Sequence, residues 1–194
     1  VISDEWIAKV KANQPELRTE KLERYQREFD LPKYDAEIIT GHKKFADLFE
    51  AATELCGKPK KVSNWIMVET MRLLKENNMD PEDIRFSPVN LAKLINLADS
   101  GSITNTVAKE VFERIFKDDI DPEKYVEEKG LKTVNDEGAL RETVQKVLAD
   151  NPQSVEDYHN GKEKAIGFLV GQTMKAMKGK ANPALVNQIL KELL

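Results

Sequence analysis

In the closing stretch 182–194, "NPALVNQILKELL", Leu185, Val186, Ile189, Leu190 and Leu193 fall three and four residues apart. That spacing lays them along one side of a helix as a buried stripe. Asn182 stands where a cap belongs. Pro183 stands where the first helical residue has no use for its N–H. The same period recurs along almost the whole chain, and no stretch alternates with the period of a strand. The sequence therefore predicts an all-α protein.

Proline and glycine mark the joints. Helices are expected over about 3–12 and 15–29, broken at Pro15, and over 42–56 and 61–77, separated by Gly57 and Pro59. The stretch 30–41, "DLPKYDAEIITG", breaks the pattern and reads as a connector. In 15–29, Glu20 precedes Arg24 by four and Glu23 precedes Arg27 by four, which suits an exposed, solvated face. In 61–77, Val62, Trp65, Ile66, Met71, Leu73 and Leu74 fill one side, with Trp65 as a core anchor. A helix follows Ser87-Pro88 and stops before Gly101. Another places Val107, Val111, Phe112, Ile115 and Phe116 inward, and a short one runs from Asp121-Pro122 to Gly130. The last third reads as a compact bundle: a helix capped by Asp136 and ending at Asn151-Pro152, a short turn before Gly161, a helix in 161–180, and the closing one. Three regions are expected, 1–40, 41–133 and 134–194.

Composition bounds the function. Charged residues make up 33% and the apolar set 40%, which fits a water-soluble protein. No apolar run approaches the roughly 20 residues that span a bilayer. The opening "VISDEWIAKV" is acidic where a secretory leader is basic, and it lacks an initiator Met, so the chain reads as a fragment of a cytoplasmic protein. The single cysteine, Cys56, lies at an expected helix end beside Gly57 and suits a capping region better than a nucleophile. His42 and His159 have no ligand-like spacing to Cys or to each other, so no metal site is expected. Phosphate-binding loops, dinucleotide fingerprints and nucleophile elbows are absent, and no catalytic residue is proposed.

Charge is uneven. Residues 1–117 hold 19 basic and 20 acidic side chains, 118–160 hold 5 and 12, and 161–194 hold 6 and 2. A local basic patch on an acidic chain can bind a polyanion while the remainder discourages random contacts.

That patch centres on 161–180, "GKEKAIGFLVGQTMKAMKGK". At about 100° per residue, Ala165, Ile166, Leu169, Val170, Met174, Ala176 and Met177 collect on one face. Lys164, Gly167, Gly171, Lys175 and Lys178 occupy the opposite arc, with Phe168 beside them. Each glycine costs a helix about 0.5–1 kcal/mol relative to Ala. Two on one face leave a smooth strip that another backbone can approach. A nucleic-acid backbone met by the lysines would use it, and so would a closely packed protein helix. The wheel alone leaves both open. From Lys164 to Lys178 such a helix would advance roughly 21 Å.

The order N-P, D-Y, G-K, G-F-L-V-G-Q-x-M-K and G-K-A-N-P in residues 151–183 resembles the GatB/YqeY family, the carboxy-terminal tail of the B subunit of aspartyl/glutamyl-tRNA(Asn/Gln) amidotransferases. "LPKYDAEIIT", "SNWIM" and "GSITNTVAKEVF" resemble that same protein. The resemblance implies a helical subdomain followed by a YqeY-like bundle. It also implies a noncatalytic tRNA-binding role within a glutamine-hydrolysing, ATP-dependent carbon–nitrogen ligase. Expected partners are tRNA(Gln) or tRNA(Asn) and the other subunits of a heterotrimer, with no membrane. ATP and Mg are expected only in the family's catalytic part, none of whose residues carries over to this chain. The matched segment contains Lys162, Lys164, Gly167, Gly171, Lys175, Lys178 and Lys180, which become the candidate RNA contacts. The alternative is a helical module that docks onto a partner subunit or the catalytic part.

Overall fold

The computed structural model describes residues 3–12 and 14–194, which form two compact units divided between Val89 and Asn90. Both are helical, and an isolated bridge between Val134 and Ala181 is the one β-type pairing among the described residues.

In the first unit, α1 (Asp4–Ala12) buries no residue. The next three helices make its core. α2 (Arg18–Glu28) packs on α3 (Lys33–Gly41), and α3 on α4 (Lys43–Cys56). Tyr25 of α2 is fully buried, with its ring 5.6 Å from Phe29 and 4.9 Å from Phe49. Most of the stretch 30–41, from Lys33 to Gly41, is thus a helix rather than a connector. Its Gly and Pro fall at the ends, while Ala36, Ile39 and Thr40 sit three and four apart and are all buried. Periodicity outweighs the turn-like opening "DLPK".

The pairs expected within α2 do not form as spaced. Glu20 accepts the Leu17 N–H at 3.0 Å. Arg24 instead turns to Glu16 at 2.8 and 2.9 Å, to Glu28 and to Glu50. Its partners are thus Glu28 of its own helix, Glu16 just before the helix and Glu50 of α4.

The expected helix 61–77 is interrupted. α5 (Pro59–Asn64) and α6 (Met71–Glu76) are joined by a π-helical stretch, Trp65–Thr70. The Thr70 hydroxyl donates to the Trp65 carbonyl, five residues back, at 3.0 Å. The wider turn brings Glu69 and Thr70 into buried positions beside Ile66, and leaves Met71 exposed and Trp65 only half-buried.

α7 (Pro88–Asp99), which begins at the division and runs into the second unit, ends before Gly101, whose φ of 76° fits a residue without a Cβ. α8 (Asn105–Asp118) opens on Thr104, whose hydroxyl accepts the Val107 N–H, and buries Val107, Val111, Phe112 and Ile115. α9 (Pro122–Lys129) is capped by Asp121. The terminal bundle comprises α10 (Glu137–Asp150), α11 (Pro152–His159), α12 (Lys164–Ala176) and α13 (Pro183–Leu193). Asp136 caps α10, and Asn182 caps α13 through the N–H groups of Ala184 and Leu185. Val186, Ile189 and Leu190 of α13 are buried against Leu140 and Val144 of α10 and Leu169 of α12, with Leu185 and Leu193 half-buried at the edge.

Candidate functional site

The surface in question is the outer side of α12. Its inner side explains why. Leu169 and Thr173 are fully buried, and Ile166, Val170, Met174 and Met177 pack around them. The Thr173 hydroxyl donates to the Leu169 carbonyl at 2.9 Å, so a polar residue is satisfied inside the core. Apolar burial on that side fixes the rotation of the helix and turns the other side outward. Ala176, assigned to the core side by the wheel, is exposed because the helix ends there.

Lys164, Gly167, Phe168, Gly171 and Lys175 make up the outer side, and all are exposed. A Cβ added at Gly167 or Gly171 would meet nothing within 4 Å. Neither glycine is therefore required by packing inside this chain. Phe168 keeps 49% of its surface open, which burial does not explain either. Lys164 and Lys175 form no ion pair among the described residues, although acidic side chains outnumber basic ones in the chain.

The remaining candidates lie off the helix. The wheel puts Lys178 on it, but α12 stops at Ala176, and Lys178 occupies the left-handed region at φ 54° in the turn that follows. Gly179, at φ 74°, passes so close to α8 that an added Cβ would lie 2.9 Å from Thr106 Cγ2. Thr104 donates to the Gly179 carbonyl at 2.6 Å, the Val134 N–H to Lys180 O at 2.7 Å, and the Asn182 N–H to Val134 O at 3.1 Å. This turn is thus clamped from two sides. Lys180 is half-buried and reaches the Gly130 carbonyl at 3.4 Å. Lys162 precedes α12 and is held by Asp157 at 2.9 Å, where its ammonium keeps that carboxyl below the usual aspartate range. Of the seven candidates, Lys164, Gly167, Gly171 and Lys175 share one open helical face. Lys178 is exposed beyond its end, and Lys162 and Lys180 are engaged elsewhere.

Phe168 belongs with this face but is absent from the candidate set, although the same wheel sets it beside Lys175. The two histidines have structural surroundings: His159 Nε2 lies 2.6 Å from the Leu194 carbonyl, and the His42 ring meets Phe45 edge-on at 5.4 Å. Cys56 is the last residue of α4, half-buried, before Gly57 at φ 67°.

The sequence pattern of the family described as "GatB domain" matches residues 47–194. The chain belongs to the GatB domain family. The match includes all of α12 and its outer face. The chain is also similar to the B subunit of the aspartyl/glutamyl-tRNA(Asn/Gln) amidotransferase of Agathobacter rectalis, at 70% identity over the whole chain and 41% of that protein. The counterpart in Lachnoclostridium phytofermentans is 59% identical over the whole chain and 40% of that protein. That of a Thermoanaerobacter species is 52% identical over the whole chain and 41% of that protein. The chain thus spans about two fifths of the length of the curated relatives it matches. Among the described residues of this GatB domain, no helix is long and apolar enough to cross a membrane.

Proposed function

We propose that this chain is the noncatalytic tRNA-binding tail of the B subunit of an aspartyl/glutamyl-tRNA amidotransferase. That enzyme converts Glu-tRNA(Gln) to Gln-tRNA(Gln) and Asp-tRNA(Asn) to Asn-tRNA(Asn). In this reading ATP, Mg, the ammonia transfer and most contacts to the other subunits belong to parts of the enzyme outside these residues. The names of the relatives support the setting. One observation carries the role: Gly167 and Gly171 lie in open space between two exposed lysines that form no ion pair among the described residues.

A surface glycine that nothing crowds lowers helix stability without a packing return. A partner that must approach the backbone supplies the return. Lysines at the edge of the strip favour a polyanion, since phosphate contacts release counterions and gain most of their affinity that way. Structured RNA is recognised largely by shape and by phosphate and sugar contacts, which a smooth strip permits. The exposed Phe168 is the observation that suits the rival, a docked protein helix.

Binding of an unmodified tRNA(Gln) transcript at several salt concentrations separates the two. The triple variant Lys164→Ala/Lys175→Ala/Lys178→Ala is expected to bind at least about tenfold more weakly. Its salt slope should be flatter by roughly 0.7–0.9 for each phosphate no longer neutralised. A triple variant that binds with wild-type affinity and slope would move the RNA surface elsewhere.

A further inference from the structure

Lys178 occupies a backbone position that a lysine disfavours. Its φ of 54° lies in the left-handed region, where a Cβ crowds the following carbonyl. The other left-handed positions among the described residues are held by glycine, or by Asp30, Asn78 and Asp119, whose short polar side chains tolerate them. Lys178 is the one long side chain in that set. It also closes α12: the Lys178 N–H donates to Lys175 O at 3.0 Å and the Gly179 N–H to Met174 O at 2.8 Å. That pair of bonds ends many helices, and the residue in the place of Lys178 is most often glycine.

Contacts on both sides fix the path of the chain through this turn. The buried Thr104 hydroxyl donates to the Gly179 carbonyl while it accepts the Val107 N–H at 3.2 Å, so one side chain both caps α8 and holds the turn. Gly179 lies too close to Thr106 to carry a Cβ, and Val134 bonds the backbone on either side of Ala181. Residue 178 is therefore left-handed whatever its side chain, and glycine would meet that need at least cost. The lysine side chain brings no return inside the chain. It is exposed and forms neither an ion pair nor a side-chain hydrogen bond among the described residues. It stands three residues beyond Lys175, at the end of the open face.

Given the tRNA reading of the α12 face, on which this rests, we propose that the turn is a clamp that sets Lys178 against an RNA phosphate, with Thr104 as its positioning residue. The clamp fixes the backbone from which the side chain starts, so less freedom is lost when the ammonium meets its phosphate. Strain kept at an exposed residue is the mark of a position held for function rather than for packing. The two glycines of the same face show the same pattern: helix stability is yielded where the fold gains nothing.

The test is the affinity of the chain for an unmodified tRNA(Gln) transcript at several salt concentrations, measured beside its melting temperature. Lys178→Gly should raise the melting temperature, because the strain is gone. It should bind tRNA about threefold or more weakly, with a salt slope flatter by roughly 0.7–0.9, the share of one phosphate contact. Lys178→Arg should keep the slope. Thr104→Val opens the clamp and should flatten the slope as Lys178→Gly does, while Thr104→Ser should restore it. Gly179→Ala, which pushes the turn off Thr106, is a second way to open the clamp and should act like Thr104→Val. In the Lys178→Gly background neither clamp variant should change the slope further, since the contact that the clamp positions is already lost. A purely structural Thr104 would show no such dependence. Unchanged affinity and slope in Lys178→Gly, no rise in its melting temperature, or clamp effects that add to it would overturn the proposal. Lys164→Ala/Lys175→Ala separates the two failures. If that pair weakens binding and Lys178→Gly does not, the face stands and the clamp falls; if neither does, the tRNA reading of the face falls with it.

Discussion

α2 and α12 look alike in one respect: each brings cations to a helix surface, four in α2 and two in α12. In α2 every cation has a partner. Arg18 donates to the Glu37 carbonyl at 3.2 Å, Lys21 lies 3.6 Å from Glu50, Arg24 joins Glu16, Glu28 and Glu50, and Arg27 meets Glu28 at 3.3 Å. The hydrogen bond from Arg24 holds the Glu16 carboxyl below the usual glutamate range. Burial of the Tyr25 phenol between these charges and two aromatic rings pushes its pKa up. In α12, Lys164 and Lys175 form no ion pair among the described residues, and two glycines lie between them. The difference teaches that charge density alone says little about binding. What separates scaffold from surface is whether the fold has already committed its cations to its own carboxylates and carbonyls.

Four substitutions sharpen this contrast. The largest effect is expected on the inner side of α12, where Leu169→Ala should cost about 2–5 kcal/mol in urea unfolding by leaving a cavity. Loss of tRNA binding in that variant should follow loss of fold. In α2, Arg24→Ala removes its ion pairs to Glu16, Glu28 and Glu50 and should cost about 1–2 kcal/mol, while tRNA affinity changes by no more than about twofold. On the outer side of α12, Gly167→Ala and Gly171→Ala together should raise stability by about 1–2 kcal/mol, since each added methyl enters open space and favours the helix. The same pair should weaken tRNA binding if the RNA backbone approaches the strip. Stability and binding moving in opposite directions would mark the glycines as functional.

The smallest effect is a pH dependence. The native pKa of Glu16 is lowered, so its contribution to stability is complete above the ordinary glutamate value and is lost as pH falls through the lowered one. Melting temperature should fall between about pH 5 and pH 2, and Glu16→Gln should flatten that limb.

Much of this is legible from periodicity. The α13 stripe, the caps at Asp136 and Asn182 and the outward glycine–lysine arc of α12 all follow from local spacing, which helices express directly. The features that escape it depend on what folding brings together. α3 is hidden by a proline and a glycine that prove to be its borders. The π turn at Trp65–Thr70 has no composition signal, because it reflects how Ile66, Glu69 and Thr70 share one core. The hydroxyl of Thr173 disguises a residue at the centre of the buried arc of α12. Lys180 and Lys162 look equivalent to Lys164 and Lys175 until their partners, the Gly130 carbonyl and Asp157, are visible.

We infer that tRNA meets the outer face of α12 and leaves α2 untouched. Amide ¹H–¹⁵N spectra of the chain, recorded as unmodified tRNA(Gln) is added, test it directly. Shifts or broadening are expected at Lys164, Gly167, Phe168, Gly171 and Lys175, reversed by added salt, with the α2 amides unchanged. Perturbations centred on α2, or an α12 face that stays silent while tRNA binds, would contradict it.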